Sequence, residues 1–439
     1  MQRRVILRFS LAPATLIGCV AALNFFGDWT LEMMPIKFVG VALCAGFAYL
    51  FAVSNFPAFS QRKVALLFWT VTVVLRLLVL PLPPSDELWR FMWDGKVQSI
   101  SANPYEIAPD NARLATLHAS EENWSRIRNA NEPTHFAPSA EIIFRVLSAA
   151  STSPLLWKIV FALADLGVAG LLLLIFRGGD RFERAAWYAW NPLALYSFAG
   201  AAHFDSVFLL ALTATILCLV RNDSGPSWKL AAGAAVTFGL AISLNFVAAL
   251  LLLPVAFALR RRAILLLLAA GIPLIFAMLF GFPTIELWRF AGDLRFSGRL
   301  NDLFWWMIEE TGWPNAHQRN FSYIVPLVGA VIIASVSCWR NWRRGLLWVV
   351  GLTLLLMPVL NAWFCTWILP VATWRRAHAW HVLSVTIFAY YLFWNERLFR
   401  LPWHAEPWMR GIIIFPPLVA AASALLKKRA PEITETSGV

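Results

Sequence analysis

The chain has 439 residues, of which 59% are hydrophobic and 14% are charged. The charged share is about half that of a typical soluble domain, which leaves too little polar surface to cover a soluble core of this length. A net charge of +12 would suggest nucleic-acid binding in a soluble protein, but here the basic residues fall mainly between apolar runs. Composition therefore excludes a soluble nucleic-acid-binding protein and predicts a membrane protein.

Apolar runs recur along the whole sequence and predict an all-α, polytopic transmembrane helical bundle. With about 17–25 residues per span, we predict roughly 12–14 membrane segments. Basic clusters such as those at residues 62–63 and 260–262 follow every second segment, and placing them in the cytoplasm gives a self-consistent topology. Residues 1–426 then form one membrane domain, and residues 427–439 form a cytoplasmic tail.

This topology predicts two long loops on the outer side, at about residues 83–153 and 282–320, and short outer turns near residues 201–205 and 361–366. Amphipathic helices are expected in both long loops, and the stretch 140–147 suits a helix lying on the membrane surface. In the second loop, Arg289, Arg295 and Arg299 could hold a phosphate or could attract anionic lipid headgroups.

The first outer loop opens on the densest group of candidate catalytic residues. Asp86 and Glu87 follow an apolar run that ends at Leu82, so we expect them at the outer membrane boundary. A carboxylate at one end of a cavity there could act as a general base toward a hydroxyl. The alternative is an acid that only caps a surface helix and interacts favourably with the positive end of the helix dipole.

The same segment, read as a helix, places further polar side chains beside these acids. Arg90 and Asp94 follow Asp86 at spacings of four residues and share roughly one side with it, where Arg90 could simply be paired. Trp89 and Trp93 form a neighbouring stripe that we expect at the lipid interface.

A second candidate is the short outer turn that contains His203 and Asp205. Asp205 could be the N-cap of the following helix, and His203 could be an interfacial aromatic residue. However, the turn is predicted to face the same side as Asp86, and acids that face a cavity near the membrane are candidates for function. The sequence contains no P-loop, dinucleotide fingerprint, HExxH motif or Cys/His cluster with metal-binding spacing.

Several segments resemble, in the same order along the chain, the multi-spanning glycosyltransferases of the GT-C fold. The closest branch is that of the bacterial polyprenyl-phosphate-mannose-dependent mannosyltransferases, and the catalytic subunit of GPI mannosyltransferase I is similar more distantly. The similar segments lie within about residues 60–375 and are 85–98, 103–105, 133–138, 190–193, 200–205, 358–364 and 367–370.

The resemblance implies an inverting transfer of a sugar, such as mannose or another hexose, from a polyprenyl phosphate. The acceptor would be a glycan or lipid outside the cytoplasm of a bacterial cell, and membrane lipid would surround the enzyme. Asp86 or Glu87 would act as the base. Donor-phosphate and substrate-binding roles would fall to Arg90, Asp94, Lys96, Asn103, Tyr105, His203, Asp205 and Arg299. The resemblance implies no particular cofactor and leaves a divalent metal open, with Asp205 as a candidate ligand.

The sequence departs from that branch at a few positions, and two other functions stay open. Glu87 replaces a frequent second Asp, Asn245 replaces a frequent Lys, and residues 136–137 and 361–362 differ from the usual dipeptides. These departures are compatible with an inactive scaffold for envelope assembly. A lipid-linked glycan flippase is the other alternative, although it would favour charges at the membrane midplane and repeat symmetry, neither of which is clear.

Overall fold

The computed structural model describes residues 2–57, 60–120, 124–127, 129–280, 319–357, 360–392 and 407–429. Across these residues the secondary structure is helical and includes no β-strand, which confirms the all-α class. Residues 281–318 lie outside the described residues, so Arg299 and nearly all of the predicted second outer loop are not assessed.

The first half of the chain contains the helices that carry the first outer loop and its flanking spans. They are α1 (Gln2–Ala22), α2 (Met34–Ser54), α3 (Gln61–Val79), α4 (Asp86–Ser99), α5 (Ala115–Ser120), α6 (Pro138–Ala150), α7 (Pro154–Ile175), α8 (Arg181–Ala189), α9 (Pro192–Leu195) and α10 (Asp205–Ser224). A π-helical turn, Tyr196–Gly200, and short 3-10 helices at Leu23–Phe26, Ala112–Leu114 and Trp124–Arg126 join them.

The second half continues with eight further helices among the described residues, several of them separated by 3-10 turns. They are α11 (Trp228–Leu244), α12 (Leu252–Leu259), α13 (Leu266–Met278), α14 (Arg319–Ser337), α15 (Trp342–Leu356), α16 (Leu369–Arg375), α17 (His378–Thr386) and α18 (Pro407–Arg429). The 3-10 turns are Phe246–Leu251, Arg260–Leu265, Ala362–Thr366 and Ile387–Tyr391.

Five helical stretches among the described residues are long and apolar enough to cross a membrane, and three shorter apolar helices accompany them. The longest stretch, Phe246–Met278, is interrupted at Arg260, where φ is +53°. This break coincides with the basic cluster 260–262 that the sequence places between two segments. The membrane class is therefore confirmed, and the total of 12–14 segments stays a prediction.

A buried ion pair ties three helices together below the first outer loop. Arg76 of α3 donates from Nε to the Oδ2 atom of Asp165 in α7 at 2.8 Å, and Tyr188 of α8 donates to Oδ1 at 2.6 Å. Arg76 also donates to the carbonyl of Ala189 at 3.0 Å. Charges buried away from water need such partners. These hydrogen bonds hold α3, the helix that leads into the first loop, against α7 and α8.

The first outer loop forms a compact unit in which α4 packs on α6. The rings of Phe91 and Phe144 stack with their centroids 4.6 Å apart. Gly95 allows this approach, because a Cβ atom there would collide with the carbonyl of Phe144. Trp89 and Trp93 are buried in this unit, so the prediction that they face the lipid interface is wrong. Packing inside this unit is more favourable for the two indoles than contact with the membrane surface.

Candidate active site

The backbone leading into α4 is fastened to two distant parts of the chain. The amide of Ser85 donates to the carbonyl of Ala201 at 2.8 Å, which brings the acidic pair beside the turn at residues 201–205. Ala202 has a φ of +63°, an uncommon conformation for a residue with a Cβ atom. The buried Lys158 of α7 donates to the carbonyls of Leu80 and Leu82, which would otherwise lack partners at the end of α3.

Glu87 and His203 form a direct pair. The Nδ1 atom of His203 lies 2.9 Å from the Oε2 atom of Glu87. The His203 side chain is 1% exposed whereas that of Glu87 is 34% exposed, so the pair reaches from the protein interior to an open surface. The indole of Trp363 stacks on the imidazole with centroids 4.1 Å apart and planes at 15°. The ring of His203 is therefore fixed in both position and orientation.

Asp205 is the first residue of α10 and is buried beside this pair. Its Oδ1 atom accepts a hydrogen bond of 2.8 Å from the indole of Trp367. Both His203 and Glu87 interact electrostatically with its carboxyl group. A buried carboxylate retains its position when such donors satisfy it, and Asp205 therefore presents a second acidic group behind the Glu87–His203 pair.

Asp86 occupies the most open position of the four. It is the exposed first residue of α4, and its charge reaches the hydroxyl of Tyr196 on the π-helical turn. The positive end of the helix dipole attracts a carboxylate at this position. We call Asp86, Glu87, His203 and Asp205 the acidic–histidine cluster. Its arrangement offers an accessible base, a fixed imidazole and an interior carboxyl group.

A second polar group lies farther along α4 and is closed to solvent. The Nε atom of Arg90 lies 2.9 Å from both carboxylate oxygens of Asp94, and its Nη atoms donate to the carbonyls of Asn129 and Glu132 at 3.2 and 3.0 Å. The predicted pairing of Arg90 with a neighbouring acid on the same helix is thus present. All the polar ends of this arginine point at protein groups.

Glu141 of α6 completes what we call the buried carboxyl network, which consists of Arg90, Asp94, Gln98, Thr134 and Glu141. Thr134 donates to its Oε1 atom at 2.6 Å, and the side-chain amide of Gln98 donates to its Oε2 atom at 2.8 Å. Complete burial and the neighbouring charge of Asp94 raise the pKa of Glu141 well above its usual range. Glu141 therefore holds a proton where an exposed glutamate would be ionised.

The other residues expected from the family resemblance lie outside both groups. Asn103 accepts from the amide of Tyr105 at 3.1 Å and donates to the carbonyl of Phe280 at 3.3 Å. The hydroxyl of Tyr105 donates to the carbonyl of Phe136 at 2.7 Å. Lys96 is half-buried in the last turn of α4. The structure thus brings together four of the predicted residues in the acidic–histidine cluster, whereas Asn103 and Tyr105 contact residues of their own loop and Phe280 just after α13.

Sequence reasoning did not select Trp363, Trp367 or Glu141 as site residues. The two tryptophans lie in a segment that resembles the family, but no spacing rule connects them with residues 203 and 205. Glu141 lies in the stretch 140–147 that was expected to form a helix on the membrane surface, but its side chain is fully buried. In the described part of the chain, no group of three or more His, Cys, Asp or Glu side chains is arranged to hold a metal ion.

Comparison with known families gives one further finding. Residues 20–272 match the family of the alpha-(1->6)-mannopyranosyltransferase N-terminal domain, which is more than half of the chain. A comparison with curated proteins gives no match. The matched region includes Asp86, Glu87, His203 and Asp205, and it ends before the two tryptophans that contact the cluster. The family resemblance expected from the sequence is confirmed, and the chain belongs to the alpha-(1->6)-mannopyranosyltransferase family as a membrane mannosyltransferase.

Proposed function

We propose that this mannosyltransferase takes its mannose from a polyprenyl phosphate and uses Asp86 as the general base. The observation that carries this proposal is the convergence of the acidic–histidine cluster from separate outer segments around an exposed carboxylate. A lipid-linked donor suits a site at the membrane edge, because the lipid tail stays in the bilayer while the sugar reaches the cluster. The sequence also lacks the phosphate-binding motifs of nucleotide-dependent enzymes.

The reaction divides between the acceptor and the leaving group. Asp86 takes the proton of an acceptor hydroxyl as its oxygen bonds to the anomeric carbon of mannose. The bond from that carbon to the phosphate oxygen breaks on the opposite face, and its electron pair leaves with the polyprenyl phosphate. Such a displacement inverts the anomeric configuration. An alpha-linked product, as the family description states, then requires a beta-linked donor.

His203 is our first choice for the group that stabilises the developing phosphate charge. Its ring is held by Glu87 and Trp363, so it needs no reorganisation during the reaction. Arg90 is less suited to this role than the sequence suggests, because Asp94 and two carbonyls already occupy its guanidinium. Arg299 stays a candidate from the sequence. Asp205 is assigned to orienting the acceptor or to binding a divalent metal.

The location and the acceptor belong to the same proposal. The outer segments that meet at the cluster are those that the distribution of basic residues assigns to the extracytoplasmic side. We therefore place the active site on the outer face of a bacterial cytoplasmic membrane, where a growing envelope glycan or glycolipid serves as acceptor. A flippase would favour charges inside the membrane, and Arg76 and Asp165 are two buried charges. They do not support this alternative, because the hydrogen bonds between them and from Tyr188 to Asp165 fix them in place.

A transfer assay with the purified full chain tests this function. The chain is incubated with a panel of polyprenyl-phosphate sugars and a mannose-containing acceptor, and the product linkage and anomeric configuration are determined. We expect transfer from the mannose donor only, with an alpha product from a beta donor. Binding of donors without transfer from any of them would contradict the proposal and favour the scaffold or the flippase.

A further inference from the structure

A second surface with the features of a binding site lies between α14 and α15, which contribute no residue to the acidic–histidine cluster. A groove of about 630 Å³ runs between the two helices. One wall contains Ala330, Ile333 and Ala334, and the other contains Trp348 and Leu352. The spacings of three and four residues show that each wall is one face of a helix. Its volume is within the usual range for small-molecule sites.

The two ends of the groove differ in chemistry. Along the helices, the apolar wall side chains face outward: Ile333 is 68% exposed and Trp348 is 48% exposed. At the other end, the turn after α14 contributes Arg340 and Asn341, and the first turn of α15 contributes Arg344. The apolar part of α14 ends at Ser337, so the polar end lies at a boundary of the membrane.

Two cations at this polar end have no acidic partner among the residues that the structure describes. Arg340 and Arg344 are exposed, and neither makes a side-chain hydrogen bond or ion pair with any residue that the structure describes. Arg343, by contrast, donates to Asp223 at 3.0 Å and so uses the nearby carboxylate. Arg344 also acts electrostatically on Arg375, a further cation. An anion placed here would reduce this repulsion and pair with both guanidinium groups, of which that of Arg340 also lies over the ring of Trp339 at 4.8 Å from its centroid.

We propose that this groove binds an anionic phospholipid. The phosphate lies against Arg340 and Arg344, and an acyl chain follows the apolar walls past Trp348. A neutral lipid would satisfy the walls but not the arginines, whereas a free anion would satisfy the arginines but not the walls. This proposal extends beyond glycosyl transfer and does not depend on the identity of the donor or the base.

Quenching of tryptophan fluorescence by lipids brominated on their acyl chains tests the proposal. The full chain is reconstituted in phosphatidylcholine vesicles that contain either brominated phosphatidylglycerol or brominated phosphatidylcholine at equal mole fraction. At about 1 kcal/mol for each arginine, the groove should prefer the anionic lipid by about 30-fold, which appears as stronger quenching. Equal quenching by the two lipids in the unaltered chain would overturn the proposal, and this result does not depend on any variant folding.

Matched variants assign the signal to the groove. Arg340→Gln with Arg344→Gln should abolish the preference, whereas the control Arg62→Gln with Arg261→Gln removes the same charge from exposed positions elsewhere and should preserve it. Loss of the preference in both double variants would indicate an effect of general surface charge and would contradict the proposal.

A second pair of variants tests the position of the lipid. Trp339→Phe with Trp348→Phe should remove the excess quenching, and persistence of that quenching would place the lipid elsewhere. Abolition by inorganic phosphate at constant ionic strength would indicate a free-anion site instead.

Discussion

The two polar groups both include residues of α4 and both pair carboxyl groups with a basic side chain, yet they differ in how their charges are completed. In the buried carboxyl network, Arg90 and Asp94 bond to each other and the remaining donors and acceptors meet protein groups. In the acidic–histidine cluster, Asp86 is exposed and Glu87 is one-third exposed, while His203 and Asp205 support them from the interior.

This difference separates a structural role from a chemical one. A buried pair whose hydrogen bonds are all made stabilises one geometry, but it has no donor or acceptor left to bind a substrate. A cluster with a fixed interior and an open edge can exchange a proton with a bound molecule while its supporting side chains stay in place. We therefore expect substitutions in the first group to change stability, and substitutions in the second to change catalysis.

The largest expected effect is on catalysis at Asp86. Asp86→Asn preserves size but removes the base, and we expect the transfer rate to fall by about 10²–10⁴-fold. The rate is measured under saturating donor and acceptor with protein of unchanged elution on gel filtration. The control Asp110→Asn changes an exposed acid of the same loop away from the cluster and should leave the rate unaltered.

A comparison with Glu87 shows which acid is the base. Glu87→Gln should reduce the rate less, since it alters the partner of His203 rather than the proton acceptor. Full activity of Asp86→Asn together with an inactive Glu87→Gln would reverse our assignment.

The next effect is on stability in the buried carboxyl network. Arg90→Met leaves Asp94 buried without its partner, and we expect a loss of about 3–5 kcal/mol in the free energy of unfolding. Thermal unfolding in detergent, followed by near-ultraviolet circular dichroism, measures it. Arg145→Met on the exposed side of α6 is the control and should change stability by less than about 0.5 kcal/mol. Similar melting temperatures for both variants would remove the proposed distinction between the two groups.

A smaller effect is expected at the interior edge of the acidic–histidine cluster. Trp367→Phe removes the indole donor to the buried Asp205, which should cost about 1–3 kcal/mol of stability. Because Asp205 is proposed to orient the acceptor, the KM for the acceptor should also rise. Trp374→Phe is a suitable control, since it is another buried tryptophan that makes ring contacts rather than this bond. An unchanged KM for the acceptor would contradict the proposed role of Asp205 in orienting it.

The smallest expected effect is on the pH dependence of stability, which shows whether Glu141 is protonated in the folded chain. Because its pKa is raised in the folded state, the folded chain binds more protons than the unfolded chain above the ordinary value of 4.5. The free energy of unfolding therefore falls as pH rises from about 4.5 toward the raised pKa. Glu141→Gln imitates the protonated form, so it should differ little from the parent at about pH 5 and be the more stable of the two at about pH 8. A pH-independent difference in melting temperature between the two would contradict this assignment.

Part of the cluster could be predicted from sequence because local signals marked its members. Asp86 and Glu87 stand at the end of an apolar run, and His203 and Asp205 stand in a turn between two such runs. The distribution of basic residues assigned both segments to one side of the membrane, and their contact through Ser85 and Ala201 agrees with it.

The remaining contacts depend on packing between distant segments, which no local pattern encodes. Trp367 lies 162 residues from its partner Asp205, and Glu141 lies 43 residues from Gln98. The amphipathic pattern around Glu141 correctly predicts a helix, but it cannot show that α4 packs against the face of α6 that carries Glu141. A carboxyl group on that face then becomes buried and takes up a proton rather than meeting water.

The positions of Trp363 and Trp367 have a consequence for biosynthesis. As the ribosome extends the chain, Glu87 can pair with His203 once residue 203 has emerged, yet the indole that stacks on the imidazole is translated 160 residues later. The region that matches the family ends at residue 272, so a nascent or truncated chain of that length contains all four members of the cluster but neither tryptophan. The last third of translation therefore completes the centre, and a chain terminated before residue 363 would lack the indole that stacks on His203.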